Sequence, residues 1–142
     1  MKKFTIITLL LTAPIVIFSL FAQDSKAQKP IYLHKEEKTV RSSMEHLQHF
    51  ADKGHVILDF YADWCNPCKR MSPLIDAAAA HMPEFTFIKI NRDFFMDLAN
   101  SFNITSIPTL IFLRDGKEIG RYDGGPLTQE KLEQLIRTAY QE

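Results

Sequence analysis

The only two cysteines of the chain, Cys65 and Cys68, stand three positions apart in "VILDFYADWCNPCKRMSP". A C-x-x-C pair can be a covalent staple, half of a zinc site, or a reversible dithiol/disulfide couple. As a staple it is weak, because a bridge this short closes too small a loop to restrict the unfolded chain much. A structural zinc takes about four ligands. The nearest candidates are His46 and His49, spaced H-x-x-H on a stretch where Leu47 and Phe50 form an apolar face. They read instead as surface residues of that helix, and His34, His55 and His81 are scattered. No metal is expected, and the redox reading is the one left with chemistry.

That chemistry depends on where the cysteines fall. "HVILDFYA" is a near-continuous apolar run, as a strand buried on both faces should be, and "NPCKRMSPLIDAAAAHM" is helical in composition. Cys65 therefore sits at a strand-to-helix junction, where unpaired N–H groups and the positive end of the helix dipole stabilise a thiolate. It should have a depressed pKa and act as the nucleophile. Cys68, one turn further in and less exposed, resolves the mixed disulfide that Cys65 forms with a partner. This exchange needs no cofactor. Asp59, among Ile57, Leu58 and Phe60, should point inward beneath the pair, where a buried carboxyl of raised pKa can relay a proton to or from Cys68. The alternative is an Asp59 at a strand end facing solvent. Lys89 has two placements open, as the partner of Asp59 or in solvent.

The elements that must position these residues follow from the hydropathy pattern. "SSMEHLQHFADKG" reads as a helix, with Ser42 and Glu45 at capping-box spacing, Met44, Leu47 and Phe50 on one face, and Gly54 at its end. Pro67 belongs in the first turn of the cysteine helix, and Pro73 should kink it. "FTFIKIN" is a second buried strand, and "RDFFMDLANSF" a short helix with Phe95, Leu98 and Phe102 inward. "PTLIFLRDGKEIGRYDGG" is a hairpin turning at Asp115–Gly116. "LTQEKLEQLIRTAY" is an amphipathic helix capped by Thr128, with Leu132, Leu135 and Ile136 as its stripe. The order β-α-β-α-β-β-α predicts an α/β sandwich with a mixed sheet, parallel in its βαβ part, with the hairpin adding antiparallel edge strands.

The chain's 142 residues allow one domain, and 46% hydrophobic and 24% charged residues describe a globular protein with a core. Formal charge is zero, with basic residues scattered among acids, so nucleic-acid binding is excluded. No Ser-His-Asp set, Gly-rich phosphate loop or paired-carboxylate site is present. The start is distinctive: "MKK" precedes "FTIITLLLTAPIVIFSLFAQ", a basic then apolar opening that describes a secretory signal. Cleavage after Ala22 or Ala27 fits, and roughly 20 apolar residues can also serve as an uncleaved membrane anchor. Of 17 basic residues Lys2 and Lys3 fall in this leader, leaving 15 against 17 acidic. The expected organisation is a leader or anchor at 1–27, a polar linker at 28–41 with a short strand possible at Ile31–Leu33, and the domain at 42–142. Export, to a periplasm-like compartment, suits a redox-active pair.

"DFYADWCNPCK" resembles the active-site signature of the thioredoxin family, and the likeness spans roughly residues 42–140. It takes in Asp59, Trp64, Pro73, "SIPT" at Ser106–Thr109 and Gly125. The resemblance implies a thioredoxin-like α/β/α sandwich and a monomer. It also implies a cis Pro108 lying against the cysteines, and an Ile107 whose backbone bonds a substrate strand. Trp64, Ile107 and Gly125 would then form a flat apolar patch that receives disulfide-bearing proteins. Two departures stand out: Asn66–Pro67 replaces the family's commonest Gly-Pro, and Tyr61 stands where Trp is frequent. "YADWC" is also similar to the exported thioredoxin-like domain of a membrane electron conduit.

The implied activity is a disulfide reductant or general oxidoreductase recharged by a membrane electron donor. Strong oxidants of this fold usually carry a histidine between the cysteines, which Asn66 cannot imitate, and isomerases add a dimerisation domain for which there is no room. A disulfide-donating oxidant is the runner-up, and a binding module with inert cysteines is the non-catalytic alternative.

Overall fold

The computed structural model describes residues 28–33, 45, 47–49, 54–125 and 127–141. The leader, Ser42, Met44, His46 and Phe50 lie outside the described residues. Among the described residues no helix is long and apolar enough to cross a membrane.

The elements in chain order are β1 (Ile31–Tyr32), β2 (His55–Tyr61), α1 (Asn66–His81), β3 (Thr86–Asn91), α2 (Met96–Ser101), β4 (Thr109–Arg114), β5 (Lys117–Asp123) and α3 (Gln129–Ala139). Glu45 and residues 47–49 are also helical, ahead of β2. The five strands form one sheet in the order β1-β3-β2-β4-β5. β3 runs parallel to both β1 and β2, while β4 runs antiparallel to β2 and β5 to β4. The mixed sheet is as the order of elements predicts, with one difference: of the hairpin's two strands, β5 alone lies at an edge. β4 lies inside and is buried along its length, because its apolar "TLIFL" has a helix layer to face on either side.

The short strand expected within 28–41 is present at Ile31–Tyr32, but it belongs to the sheet rather than to a tether. Ile31 and Tyr32 pair with Ile88 and Lys89, and Leu33 is buried in the core. The folded unit therefore takes in part of 28–41. A two-residue strand carries no periodicity that says where it docks, and it finds its place only once β3 supplies the edge.

The hairpin turns where the sequence places it, with Asp115 (φ 50) and Gly116 (φ 77) both left-handed, the geometry of a two-residue turn that matches strand twist. Thr128 caps α3, its hydroxyl accepting from the Lys131 amide at 3.3 Å. α1 continues through Pro73 without interruption.

Strand alternation divides the core into two layers. Val56, Leu58 and Phe60 of β2 pack with Ile88, Ile90 and Ile111 beneath Leu47, Phe95 and Leu98. Ile57 faces the other way, with Phe87, Leu110 and Phe112, beneath Met71, Ile75 and Ala79 of α1 and Leu132 and Ile136 of α3. The result is helix, sheet, helix, with β2 at the centre, and β2 delivers the cysteine loop from its C-terminal end.

Candidate active site

β2 ends in Ala62-Asp63-Trp64, and the Cys65 amide donates back to the Ala62 carbonyl at 3.1 Å. This closes the turn and leaves Cys65 extended (φ −80, ψ 102) as the N-cap of α1. Asn66–Pro67 opens the helix, where proline's missing donor is no loss. Cys65 and Cys68 form a disulfide with their Cα atoms 5.2 Å apart. The Cys68 amide donates to Cys65 Sγ at 3.1 Å, so the sulfur occupies the place of a capping oxygen. The first turn of α1 has no acidic residue. Nothing there offsets the positive end of the dipole that favours a thiolate.

One expectation fails here. Cys65 is 3% exposed and Cys68 5%, so the first cysteine is not the more accessible one. Cys65 fills a gap among Ala62, Tyr61 and Ile107. Its difference from Cys68 lies in helix position rather than exposure.

Ile107 closes the other side, its carbonyl oxygen 3.9 Å from Cys65 Sγ. The Ile107–Pro108 peptide bond is cis, as the resemblance implies, and Pro108 is buried. The Pro108 carbonyl accepts from the Gly124 amide at 3.4 Å, which ties this loop to the end of β5. Thr109 braces it, its hydroxyl 2.9 Å from the Ser106 carbonyl and 2.7 Å from Asp123 Oδ1. Gly125 is joined to the same corner by the Tyr122 hydroxyl, which donates to its carbonyl at 3.1 Å. The packing demand falls on its neighbour: a Cβ on Gly124 would lie 2.8 Å from the Tyr122 ring, whereas one on Gly125 would meet nothing.

Trp64 is 65% exposed beside the disulfide. Its indole N–H donates to Asp93 Oδ2 at 2.8 Å. The Asp93 amide donates to Asn91 Oδ1 at 3.0 Å, and Asn91 Nδ2 donates to Asp63 Oδ2 at 3.2 Å. These three residues escaped the sequence reading. The available signal was a polar Asn91 closing a largely apolar strand.

Beneath the pair is a cavity of about 280 Å³, lined by Asp59, Tyr61, Ala62, Cys68, Ser72 and Lys89 among others. Asp59 is 3% exposed, which excludes the solvent-facing placement. Burial pushes its carboxyl up to about 6, the nearby Lys89 charge pulls it down, and Asp76 pushes it up again. Lys89 is 2% exposed, so it is not a solvated lysine. Its ammonium donates to Ser72 Oγ and pairs with Asp76 Oδ1 at 3.4 Å. It also lies 5.2 Å from the Tyr32 ring centre and 5.9 Å from that of Tyr61. The structure thus brings Cys65, Cys68 and Ile107 into one cluster, places Asp59 below it, and sets Trp64 and the Gly124–Gly125 corner beside it. Among the described residues no group of three His, Cys, Asp or Glu side chains could hold a metal.

Comparison with known proteins agrees with this arrangement. Residues 36–138 match the sequence profile of the family described as Thioredoxin. Thioredoxin of Chlamydia trachomatis is 42% identical over 80 residues, 54% of this chain and 78% of that protein. Thioredoxin of Mycoplasmoides gallisepticum is 32% identical over 100 residues, 70% of this chain and 99% of that protein. Among solved structures, thioredoxin NaTrxh from Nicotiana alata superposes with a TM-score of 0.67 at 29% identity, covering 79% of this chain and 93% of that one.

Proposed function

The chain belongs to the thioredoxin family of thiol:disulfide oxidoreductases, and from that premise we propose that it works outside the cytoplasm, reducing disulfides in exported proteins. In the reaction, the Cys65 thiolate attacks a partner disulfide, one partner sulfur leaves as a thiolate, and a mixed disulfide forms. Cys68 then attacks Cys65 Sγ, releasing the second partner thiol and leaving the Cys65–Cys68 disulfide. Two electrons pass to the partner. Asp59, which lines the same cavity as Cys68, takes the Cys68 proton as that thiol becomes a nucleophile. Pro108 and the Ile107 backbone, with Trp64 and Gly125, receive the substrate segment.

The reducing direction is carried by one observation. Cys65 Sγ is faced by the helix N-terminus with the Cys68 amide and by the neutral Ile107 carbonyl, and the intervening Asn66–Pro67 adds no charge. A couple is oxidising to the extent that its reduced, thiolate form is stabilised, and here that stabilisation is modest. The basic and apolar leader supports export, and an exported reductant must be re-reduced by a membrane electron donor.

The reduction potential of the Cys65–Cys68 couple against a glutathione buffer tests the direction. A value near about −270 mV fits a reductant, and one near about −120 mV makes the protein a disulfide donor instead. Export is tested on the cell-derived protein, whose N-terminus should be Gln23 or Gln28 if the leader is removed. Recovery of the unprocessed chain in the cytoplasmic fraction would count against it. Cys65→Ser should abolish turnover, and Cys68→Ser should accumulate mixed disulfides with substrates on a non-reducing gel. A Cys65→Ser protein that still performed its task in cells would restore the reading as a binding module.

A further inference from the structure

Asp59 and Lys89 are direct register partners on the parallel strands β2 and β3, and both line the cavity under Cys68. Two buried opposite charges placed side by side are expected to pair. The Lys89 ammonium turns instead to α1, donating to Ser72 Oγ and pairing with Asp76 Oδ1 at 3.4 Å. Cys68, Ser72 and Asp76 stand at successive i, i+4 positions of that helix, so they fall on one face, one above the other. The helix that carries the resolving cysteine therefore also carries the anchor of the lysine.

We infer that Ser72 is a positioning residue for the thiol–disulfide exchange: by holding the Lys89 ammonium to α1, it keeps that charge off Asp59 and leaves the carboxyl free to bind and release a proton beside Cys68. An ammonium moved onto Asp59 would fix it as an anion, because an opposite charge within about 4–6 Å favours the charged form. The rings of Tyr32 and Tyr61, 5.2 and 5.9 Å from Nζ, help hold the cation in place. The other charged or titratable groups around the carboxyl are Asp76 and Lys69 of α1, Asp63 of the loop and Tyr61 of β2. None of them changes when Ser72 is replaced, so a neutral substitution isolates the position of Lys89.

The inference rests on the proton-relay role proposed for Asp59, and its test reads the carboxyl directly. Titration of the Asp59 side-chain ¹³C signal by NMR, on the oxidised protein, reports its midpoint whether or not the protein turns over substrate. Ser72→Ala should lower that midpoint by about one pH unit. Alanine is the better helix former, so α1 is not weakened. The pair Ser72→Thr and Ser72→Val, equal in shape, gives the same comparison: Thr keeps the wild-type midpoint and Val lowers it. In a Lys89→Gln background, Ser72→Ala should shift nothing. An Asp59 midpoint that stays or rises in both Ser72→Ala and Ser72→Val overturns the inference, as does an equal fall without Lys89. A flat pH–rate profile accompanied by the expected NMR shifts would sink the relay role of Asp59 while leaving the anchoring by Ser72 intact.

Discussion

The two faces of β2 are both buried through the middle of the strand and built for different ends. Val56, Leu58 and Phe60 pack into a cluster of apolar side chains from β3 and β4 and from the helical layer that carries Phe95 and Leu98. On the other face Ile57 joins an equally apolar cluster, but two positions on Asp59 opens onto a cavity shared with Cys68 and a buried ammonium. The first face gains free energy from all it covers. The second gives some back, since a carboxyl pushed up to about 6 is one the fold holds at a loss. A single strand thus separates folding from chemistry, and the period-2 alternation of its side chains is what allows it.

Substitution on each face tests that separation, beginning with the largest effect. Phe60→Ala removes a fully buried ring and should lower unfolding free energy by about 3–5 kcal/mol, measured by denaturant titration. The molecules that stay folded should keep their disulfide chemistry, and loss of exchange without loss of stability would erase the distinction between the faces.

Asp59→Asn should act in the opposite direction. The folded carboxyl holds its proton up to about pH 6 and the unfolded one to 3.8. Wild-type stability is therefore greatest below the unfolded value, falls as pH rises through that window, and is flat above it. The difference is worth roughly 3 kcal/mol at about 1.4 kcal/mol per unit. The Asn protein should be the more stable by an amount of that order at pH 7.5, with the gain absent below about pH 4. It should also exchange disulfides more slowly at neutral pH and lose the inflection near pH 6 from its pH–rate profile. A variant destabilised at every pH would show the carboxyl to be structural.

Smallest is the effect of Asp93→Ala. The exposed hydrogen bond from Trp64 contributes on the order of 1 kcal/mol. Its loss should raise KM for protein disulfides and leave a small-molecule disulfide unaffected, measured by steady-state kinetics. Equal losses on both would place Trp64 in the chemistry rather than at the docking surface.

What could be read from the chain in advance divides along the same physical line. β2 shows as a near-continuous apolar run, the hairpin as Asp115–Gly116, and α3 as a Thr128 cap with an apolar stripe, because each records a local rule in neighbouring residues. The cysteine pair at a strand-to-helix junction is also local. The short strand at Ile31–Tyr32 was legible as an element, but its pairing with β3 was not, and the near-equal burial of Cys65 and Cys68 escaped because Ile107, 42 positions from Cys65, does the covering. Trp64 meets Asp93 across 29 positions and Lys89 meets Ser72 across 17.

The sequence by itself determined the kind of chemistry: two cysteines on a helix start, and an acid inside an apolar strand. Only the tertiary structure decided the environment of that chemistry, namely how far burial lifts Asp59, which groups hold Lys89, and what lies against Cys65. A secondary-structure element is specified by side chains a few residues apart. The proton affinity of a buried group is specified by the charges, dipoles and missing water around it, and these arrive from β3, α1 and the Ile107 loop only when the sheet has closed.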